Sequence, residues 1–331
     1  MTQHRAIILA AGLGSRLGAL SDERPKPLLP VCDIPLIRFA LAHLVGHGIT
    51  DVAINLFHRG DLIEAALGDG SAYGAKLVYS HEEILLGTGG GLRRMGDWLT
   101  DGGKQSFVVM NGKILIDVDL QALVAQHHRD DDAATMVVRQ VPDAQRWGAI
   151  HVDGNRITGI LDRGQPALAT MFTGVHVIAP RLLDRLPAQG ESDSIRQAYL
   201  PALSDGDRLG AVVYDGYFQE HSTPHRYLEG NWNALSGKAS LTHPPGPLVG
   251  IDVTAKIDGT VDELVRIGPN AVVERGASVG PLCVVGSNAV VAAGASLKRV
   301  VVWPGARAEG HLSDVIVTPH AVVSGARGAK D

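Results

Sequence analysis

Leu9-Ala10-Ala11-Gly12-Leu13-Gly14-Ser15-Arg16-Leu17, continued after a short interval by Arg24-Pro25-Lys26-Pro27-Leu28-Leu29-Pro30, decides how the rest of the chain is read. Residues 6–10 form a short apolar run, the mark of a parallel strand buried on both faces. Gly12 and Gly14 then clear side chains from a tight turn and leave backbone N–H groups free to face an anion. Arg16 and Lys26 add two positive charges. A glycine turn after a buried strand, with basic residues beyond it, reads as a phosphate site. It is not a P-loop, because no Gly-Lys-Ser/Thr follows the glycines. Nor is it a dinucleotide fingerprint, because the third glycine and an acidic ribose ligand are missing.

Outward from this turn the pattern is βαβαβ. A helix is expected over 36–47 with Pro35 at its start, a strand over 52–56, a helix over 61–67 and a strand over 75–79. Compact connections of this kind predict a parallel three-layer sheet that binds ligands outside the carboxyl ends of its strands. The strand at 75–79 delivers Ser80-His81-Glu82-Glu83-Ile84-Leu85-Leu86-Gly87-Thr88-Gly89-Gly90-Gly91. That glycine bed, with Thr88 and Glu82 beside it, suits the flat face of a nucleobase as well as it suits a glycine-rich helix start. A further buried strand, 106–110, ends in Asn111-Gly112-Lys113, with Asp117 and Asp119 beyond. A helix over 120–129 and a strand over 134–139 follow. The segment 147–157 reads as a hairpin turning at Gly154-Asn155. Gly174 interrupts a strand over 170–177, which signals close approach of a ligand or a neighbouring segment. Helices are expected over 180–186 and 195–203, a strand over 209–214, and a helix over 225–235 with Ser222 as its cap and Pro224 in its first turn.

Composition changes at Thr242-His243-Pro244-Pro245-Gly246-Pro247, and two domains are expected, 1–240 and 241–331. Beyond the boundary Ile267, Val273, Val279, Val285, Val291 and Leu297 recur every six residues. Ala271, Ala277, Cys283, Ala289 and Ala295 recur on a second lattice of the same period. Neither a strand nor a helix produces both lattices. A triangular left-handed β-helix does, with branched residues stacked inside and small ones at the corners. The repeat loosens after Leu297 and resumes near Trp303. A coil of this kind serves as scaffold and as a surface for homo-oligomers, and sometimes as an acyl-transfer site through a histidine such as His311 or His320.

The 331 residues carry a formal net charge of -5, which gives no basic face for nucleic acid but leaves room for a local basic pocket that takes a phosphorylated small molecule. The first residues run at once into a strand, and no apolar stretch reaches membrane-spanning length, so a cytoplasmic protein is expected. Cys32 and Cys283 lack metal-ligand spacing and read as buried thiols.

Residues 5–235 resemble the sugar-1-phosphate nucleotidyltransferase family, and the whole chain resembles members with a C-terminal hexapeptide-repeat domain, such as the mannose-1-phosphate guanylyltransferases. The likeness rests on residues 10–17, Pro25-Lys26-Pro27, Glu82 with Leu86-Gly87-Thr88-Gly89-Gly90, Asn111-Gly112, Phe172-Thr173-Gly174 and Thr223-Pro224. It implies a Rossmann-like α/β domain with a mixed, mostly parallel sheet, followed by the β-helix. The implied reaction joins a nucleoside triphosphate to a sugar 1-phosphate and releases pyrophosphate. Carried over residue by residue, the resemblance assigns Ala11, Gly12, Gly14, Ser15 and Arg16 to the triphosphate and Lys26 to the reacting phosphates. It assigns Glu82, Gly87, Thr88, Gly89 and Asn111 to the nucleotide, and Gly148, Arg163, Phe172, Thr173 and Gly174 to the sugar phosphate. Asp162-Arg163 stands where the family has Glu-Lys.

Two departures concern the magnesium ion that the resemblance implies. Lys113 follows Asn111-Gly112 where the family has a metal-binding Asp, and a charged lysine cannot coordinate that ion. Glu220, in Glu220-His221-Ser222-Thr223-Pro224, replaces the second such Asp and is the candidate metal ligand. Three readings follow: an active transferase that uses Glu220 with Asp117 or Asp119, or relies on Lys113; a regulatory homologue that binds a nucleotide sugar; and a bifunctional enzyme with an acyl-transferring β-helix.

Overall fold

The computed structural model describes residues 4–142, 144–160 and 170–328. Arg163 and Asp162 lie outside the described residues. The chain divides into two compact units, one of residues 1–12, 40–112 and 118–216, the other of residues 13–39, 113–117 and 217–331. No helix among the described residues is long and apolar enough to cross a membrane.

The first unit is built on a nine-stranded mixed sheet. Its spatial order is Lys76–His81, Asp51–Leu56, Arg5–Leu9, Phe107–Asn111, Thr170–Ile178, Ala134–Gln140, Leu209–Val213, Arg156–Ile160 and Ala149–Asp153. The first four run parallel. This is the doubly wound half anticipated from the alternating apolar runs and helices. Thr170–Ile178 then enters antiparallel between Phe107–Asn111 and Ala134–Gln140. Its first residues also pair with Ala149–Asp153, so the last five strands close on themselves as a small barrel. The turn at Gly154 joins the expected hairpin in a left-handed conformation.

Gly174 sits where the register between Thr170–Ile178 and Ala134–Gln140 shifts, with φ at +90°. A Cβ there would stand 2.1 Å from Asn111 Nδ2, so the close approach that this glycine permits is to a neighbouring side chain. The helix expected over 195–203 is a π-helical turn, Ile195–Tyr199, running into the short helix Leu200–Ser204. That over 180–186 is the single turn Pro180–Leu183.

The second unit contains three parallel ladders that stack as the coils of a left-handed β-helix. Val265 lies opposite Cys283, Val272 opposite Val290 and Ser278 opposite Ser296, so this central coil is three hexapeptides long. Every residue of both six-residue lattices is buried. The next coil is one residue short, with Val284 opposite Val301, and the last ladder is three short, with Ser296 opposite His311. This shortening is why the pattern loosens after Leu297. The antiparallel strand Val322–Ser324 pairs with Val315–Val317 at the end of the stack. It satisfies the last exposed edge of that ladder.

The β-helix does not keep its core to itself. Trp303, Val285 and Ile267 belong to the same apolar cluster as Leu17, Leu29, Phe39, Leu115 and Tyr227. The segment carrying Arg16 and Lys26 therefore shares one core with the coils. The helix Pro224–Leu235 belongs to this unit and is capped by Thr223, whose side chain accepts from the Arg226 N–H, rather than by Ser222. Pro224 occupies the first helical position, which leaves the residue immediately before it as the cap. His311 and His320 are exposed.

Candidate active site

In the second unit, Gly14 adopts a left-handed conformation at the start of the short helix Ser15–Leu17. A Cβ on it would stand 3.3 Å from Ser21 Cβ and 3.6 Å from Lys26 Cβ, so the glycine turn and the lysine segment are packed against each other. Lys26 begins a single helical turn, Lys26–Leu28, held between Pro25 and Pro27, which fix the backbone on both sides of it.

Flanking residues fasten this segment to the coils. Glu23 accepts a hydrogen bond from the Thr318 hydroxyl, and the Arg24 guanidinium lies over the Trp303 ring at 5.5 Å from its centroid. The Pro30 carbonyl accepts from the Tyr227 hydroxyl, and Asp33 accepts from the Ser287 N–H at 3.0 Å and its hydroxyl at 2.5 Å.

Strand Ile114–Ile116 pairs antiparallel with Phe218–Glu220, Glu220 opposite Ile114. The register is extended by the His221 N–H donating to the Lys113 carbonyl at 3.1 Å. This pairing, not sequence proximity, brings Lys113 and Glu220 together. Lys113 Nζ donates to Glu220 Oε1 at 2.6 Å, and Arg226 Nη1 donates to Oε2 at 3.2 Å. Arg16 Nη2 stands 3.9 Å from Oε1. Burial alone would raise the carboxyl's pKa, but Lys113, by charge and by hydrogen bond, and Arg16 overcome it and hold the group down at about 2.

Lys26 shares this field. Burial first, then the Lys113 charge, lower its ammonium, Glu220 partly restores it, and the outcome is a value of about 8. Four cations thus surround one carboxylate, a cluster with positive charge to spare for an anion. His221, fully buried beside it, is held neutral by burial, down at about 4.

The donor set meets a divalent ion poorly. Such an ion needs oxygens, usually from carboxylates, at close range. Both oxygens of Glu220 already face nitrogen cations. Asp117 accepts from the Thr242 N–H at 2.8 Å and hydroxyl at 2.7 Å. Asp119 caps the helix Leu120–Arg129 by accepting from the N–H groups of Gln121 and Ala122. Among the described residues no group of three or more His, Cys, Asp or Glu side chains is placed to hold a metal ion.

In the first unit, Asn55 is a residue that sequence reasoning missed. It accepts from the Ala10 N–H at 2.8 Å and donates to Glu82 Oε1 at 2.8 Å. Glu82 Oε2 accepts from the Leu86 N–H at 3.0 Å. Both oxygens of this buried carboxylate therefore fix the end of the first strand to the turn before the glycine-rich helix Gly87–Arg94. The one polar residue at the end of an apolar strand was the available signal.

The glycines of that helix admit close neighbours from the chain itself. A Cβ at Gly87 or Gly90 would stand 2.6 Å from the Ser192 carbonyl oxygen or 2.7 Å from that of Gly190, and one at Gly89 would stand 2.6 Å from Ser192 Oγ. Thr88 Oγ1 accepts from the Ser194 N–H at 3.1 Å. Gly12, by contrast, lies in open space. Asn111 is packed against Gly174. The Thr173 hydroxyl donates to the Val137 carbonyl at 2.8 Å, and Phe172 meets His176 edge-on at 5.1 Å. Gly148 has φ at +87°.

The comparisons with known proteins agree with this architecture. The family described as nucleotidyl transferase matches residues 5–236. Mannose-1-phosphate guanylyltransferase of Mycobacterium tuberculosis is 30% identical over 286 residues, covering 83% of this chain and 76% of that protein. UTP--glucose-1-phosphate uridylyltransferase of Synechocystis is 28% identical over 304 residues, covering 84% of this chain and 77% of that protein. The structure of HddC from Yersinia pseudotuberculosis shares the fold with a TM-score of 0.59 at 21% identity, covering 69% of this chain and 98% of that one. The chain belongs to the sugar-1-phosphate nucleotidyltransferase family, whose members produce nucleotide sugars, and carries a C-terminal hexapeptide-repeat domain.

Proposed function

We propose that this chain joins a nucleoside triphosphate to a sugar 1-phosphate and releases pyrophosphate, with GTP and mannose 1-phosphate the first pair to test. The observation that supports it is the cluster of Arg16, Lys26, Lys113 and Arg226 about Glu220. In this reading an oxygen of the sugar phosphate attacks the α-phosphorus, a new P–O bond forms, and the bond to the β-phosphate breaks on the opposite side. A phosphate oxygen is already a competent nucleophile near neutrality, so no side-chain nucleophile is required. The protein's work is to align the two substrates and to compensate charge on the departing pyrophosphate.

Arg16 and Lys26 take the triphosphate in this assignment, with backbone N–H groups at Ala11, Gly12, Gly14 and Ser15. Glu82, Gly87, Thr88, Gly89 and Asn111 shape the nucleotide's seat, and Glu82 does so by holding Asn55 and Leu86. Gly148, Arg163, Phe172, Thr173 and Gly174 take the sugar phosphate. The expected Mg2+ is not carried onto Glu220. The same proposal includes the 1–240 and 241–331 division, a cytoplasmic location, and self-association through the β-helix, where Val249, Ile251, Val253 and Leu264 are exposed on the first coil.

Pyrophosphate release from each common NTP against a panel of sugar 1-phosphates tests the reading. Release with one matched pair is expected. Silence across the panel with nucleotide binding intact would instead favour a regulatory nucleotide-sugar-binding homologue, a reading to which the fully paired Glu220 lends support.

A further inference from the structure

The carboxylate that could hold a divalent ion is Glu220, and its surroundings are those of an anion already neutralised. Lys113 Nζ stands 2.6 Å from Oε1, inside the space an ion on that oxygen would need, and Arg226 closes the other oxygen at 3.2 Å. An ammonium so placed repels a second cation, and each oxygen of this carboxylate already accepts from a nitrogen cation. The antiparallel pairing of Ile114–Ile116 with Phe218–Glu220 fixes both backbones, so the contact is not a chance meeting of two long side chains. Lys113 remains about a third exposed and Arg16 more so, which keeps their remaining N–H donors available to an incoming oxyanion.

We infer that the Lys113 ammonium is a resident monovalent cation in the position a divalent ion would take beside Glu220, and that this cluster binds a polyphosphate chain without a protein-held metal. The chemistry of the ligand, a chain of linked phosphates, rests on the nucleotidyl-transfer reading. The charge arrangement does not. Glu220 here orients Lys113 and Arg226 rather than ligating an ion, which makes it a positioning residue.

The test uses two readouts that need no turnover. First, Mn2+ is titrated into the full chain and free ion is followed by electron paramagnetic resonance. No uptake is expected at Glu220. Uptake of one ion that Glu220→Gln abolishes would overturn the inference. Second, inorganic tripolyphosphate is titrated calorimetrically in EDTA into the wild type, Lys113→Arg and Lys113→Met, each checked for native circular dichroism. Binding by the wild type, retention within about threefold by Lys113→Arg, and at least tenfold weakening by Lys113→Met are expected, from loss of one charge-assisted contact. Unaltered binding by Lys113→Met, or binding by the wild type only when Mg2+ is supplied, would overturn it. If pyrophosphate release fails with every substrate pair while these titrations come out as expected, the nucleotidyl-transfer reading falls and the resident cation stands.

Discussion

The indole N–H of Trp303, inside the β-helix, donates to the Tyr227 hydroxyl at 3.0 Å, and that hydroxyl donates in turn to the carbonyl of Pro30, at the end of the lysine-bearing segment. Both rings are fully buried. One hydroxyl therefore satisfies a donor on the coil and an acceptor beside the candidate site. Tyr227→Phe keeps the ring but leaves the Trp303 N–H and Pro30 C=O without this partner. A loss of about 2 to 4 kcal/mol in urea unfolding is expected. A drop in kcat for pyrophosphate release at temperatures where the variant is fully folded is also expected, since Lys26 is only four residues from Pro30. Unchanged stability would show that the two groups find other partners.

Gly230 lies in the helix Pro224–Leu235, where alanine is ordinarily favoured by about 1 kcal/mol. A Cβ there would stand 2.1 Å from His221 Nε2, and His221 has no exposed surface into which to retreat. Gly230→Ala is therefore expected to destabilise the protein by at least about 2 kcal/mol despite its better helix propensity. Because His221 adjoins Glu220 in sequence and donates its N–H to Lys113, tripolyphosphate affinity should fall as well. A stabilised variant in chemical denaturation would contradict the packing described.

The contrast between these buried contacts and the repeat explains what the sequence could disclose. The lattice of Ile267, Val273 and Val279 is legible because stacking forces the same residue type into each six-residue step. The glycine turn and Pro25-Lys26-Pro27 are legible because backbone conformation restricts their residues. The Lys113–Glu220 pair is different. Its members are 107 positions apart, and their contact follows from the register of two three-residue strands, which carries no local pattern. Asn55 was legible only as a polar residue near the end of an apolar strand; its partners were not, since an asparagine's hydrogen bonds depend on where other segments end. The cap was expected one residue early, at Ser222, because two adjacent hydroxyls precede Pro224; the place of Pro224 at the first helical position selects Thr223.

Lys26 is protonated below about 8 and loses its charge as pH rises through that value. The cluster should therefore bind polyphosphate more weakly above about 8, and kcat/KM, which reports groups of the free enzyme, should fall there. Lys26→Arg keeps the charge far beyond this range, because a guanidinium does not titrate below about 12. Its profile should remain flat across the same interval, whatever its absolute rate. An identical descending limb in both proteins would assign the inflection to another group.

Glu220 supplies the acid counterpart. Its carboxyl is held down at about 2 against an ordinary value of 4.5, so the folded state releases this proton more readily than the unfolded chain does. The resulting stability is present above 4.5 and is lost as pH falls through the folded value near 2. The shift corresponds to roughly 3 kcal/mol. Glu220→Gln should cost stability of that order at neutral pH, because Lys113 and Arg226 are left facing a neutral amide. The gap between the two proteins should then narrow as pH is lowered from 4.5 toward 2. His221, neutral when buried and held down at about 4, destabilises both proteins in acid; the Glu220 charge raises its pKa, so this penalty is somewhat larger in Glu220→Gln and offsets part of the narrowing. Urea unfolding of both proteins at stepped pH reads this directly. A gap that stays constant down to about 2 would mean that the Glu220 proton is not coupled to folding, and that the ion pair with Lys113 contributes no net stability.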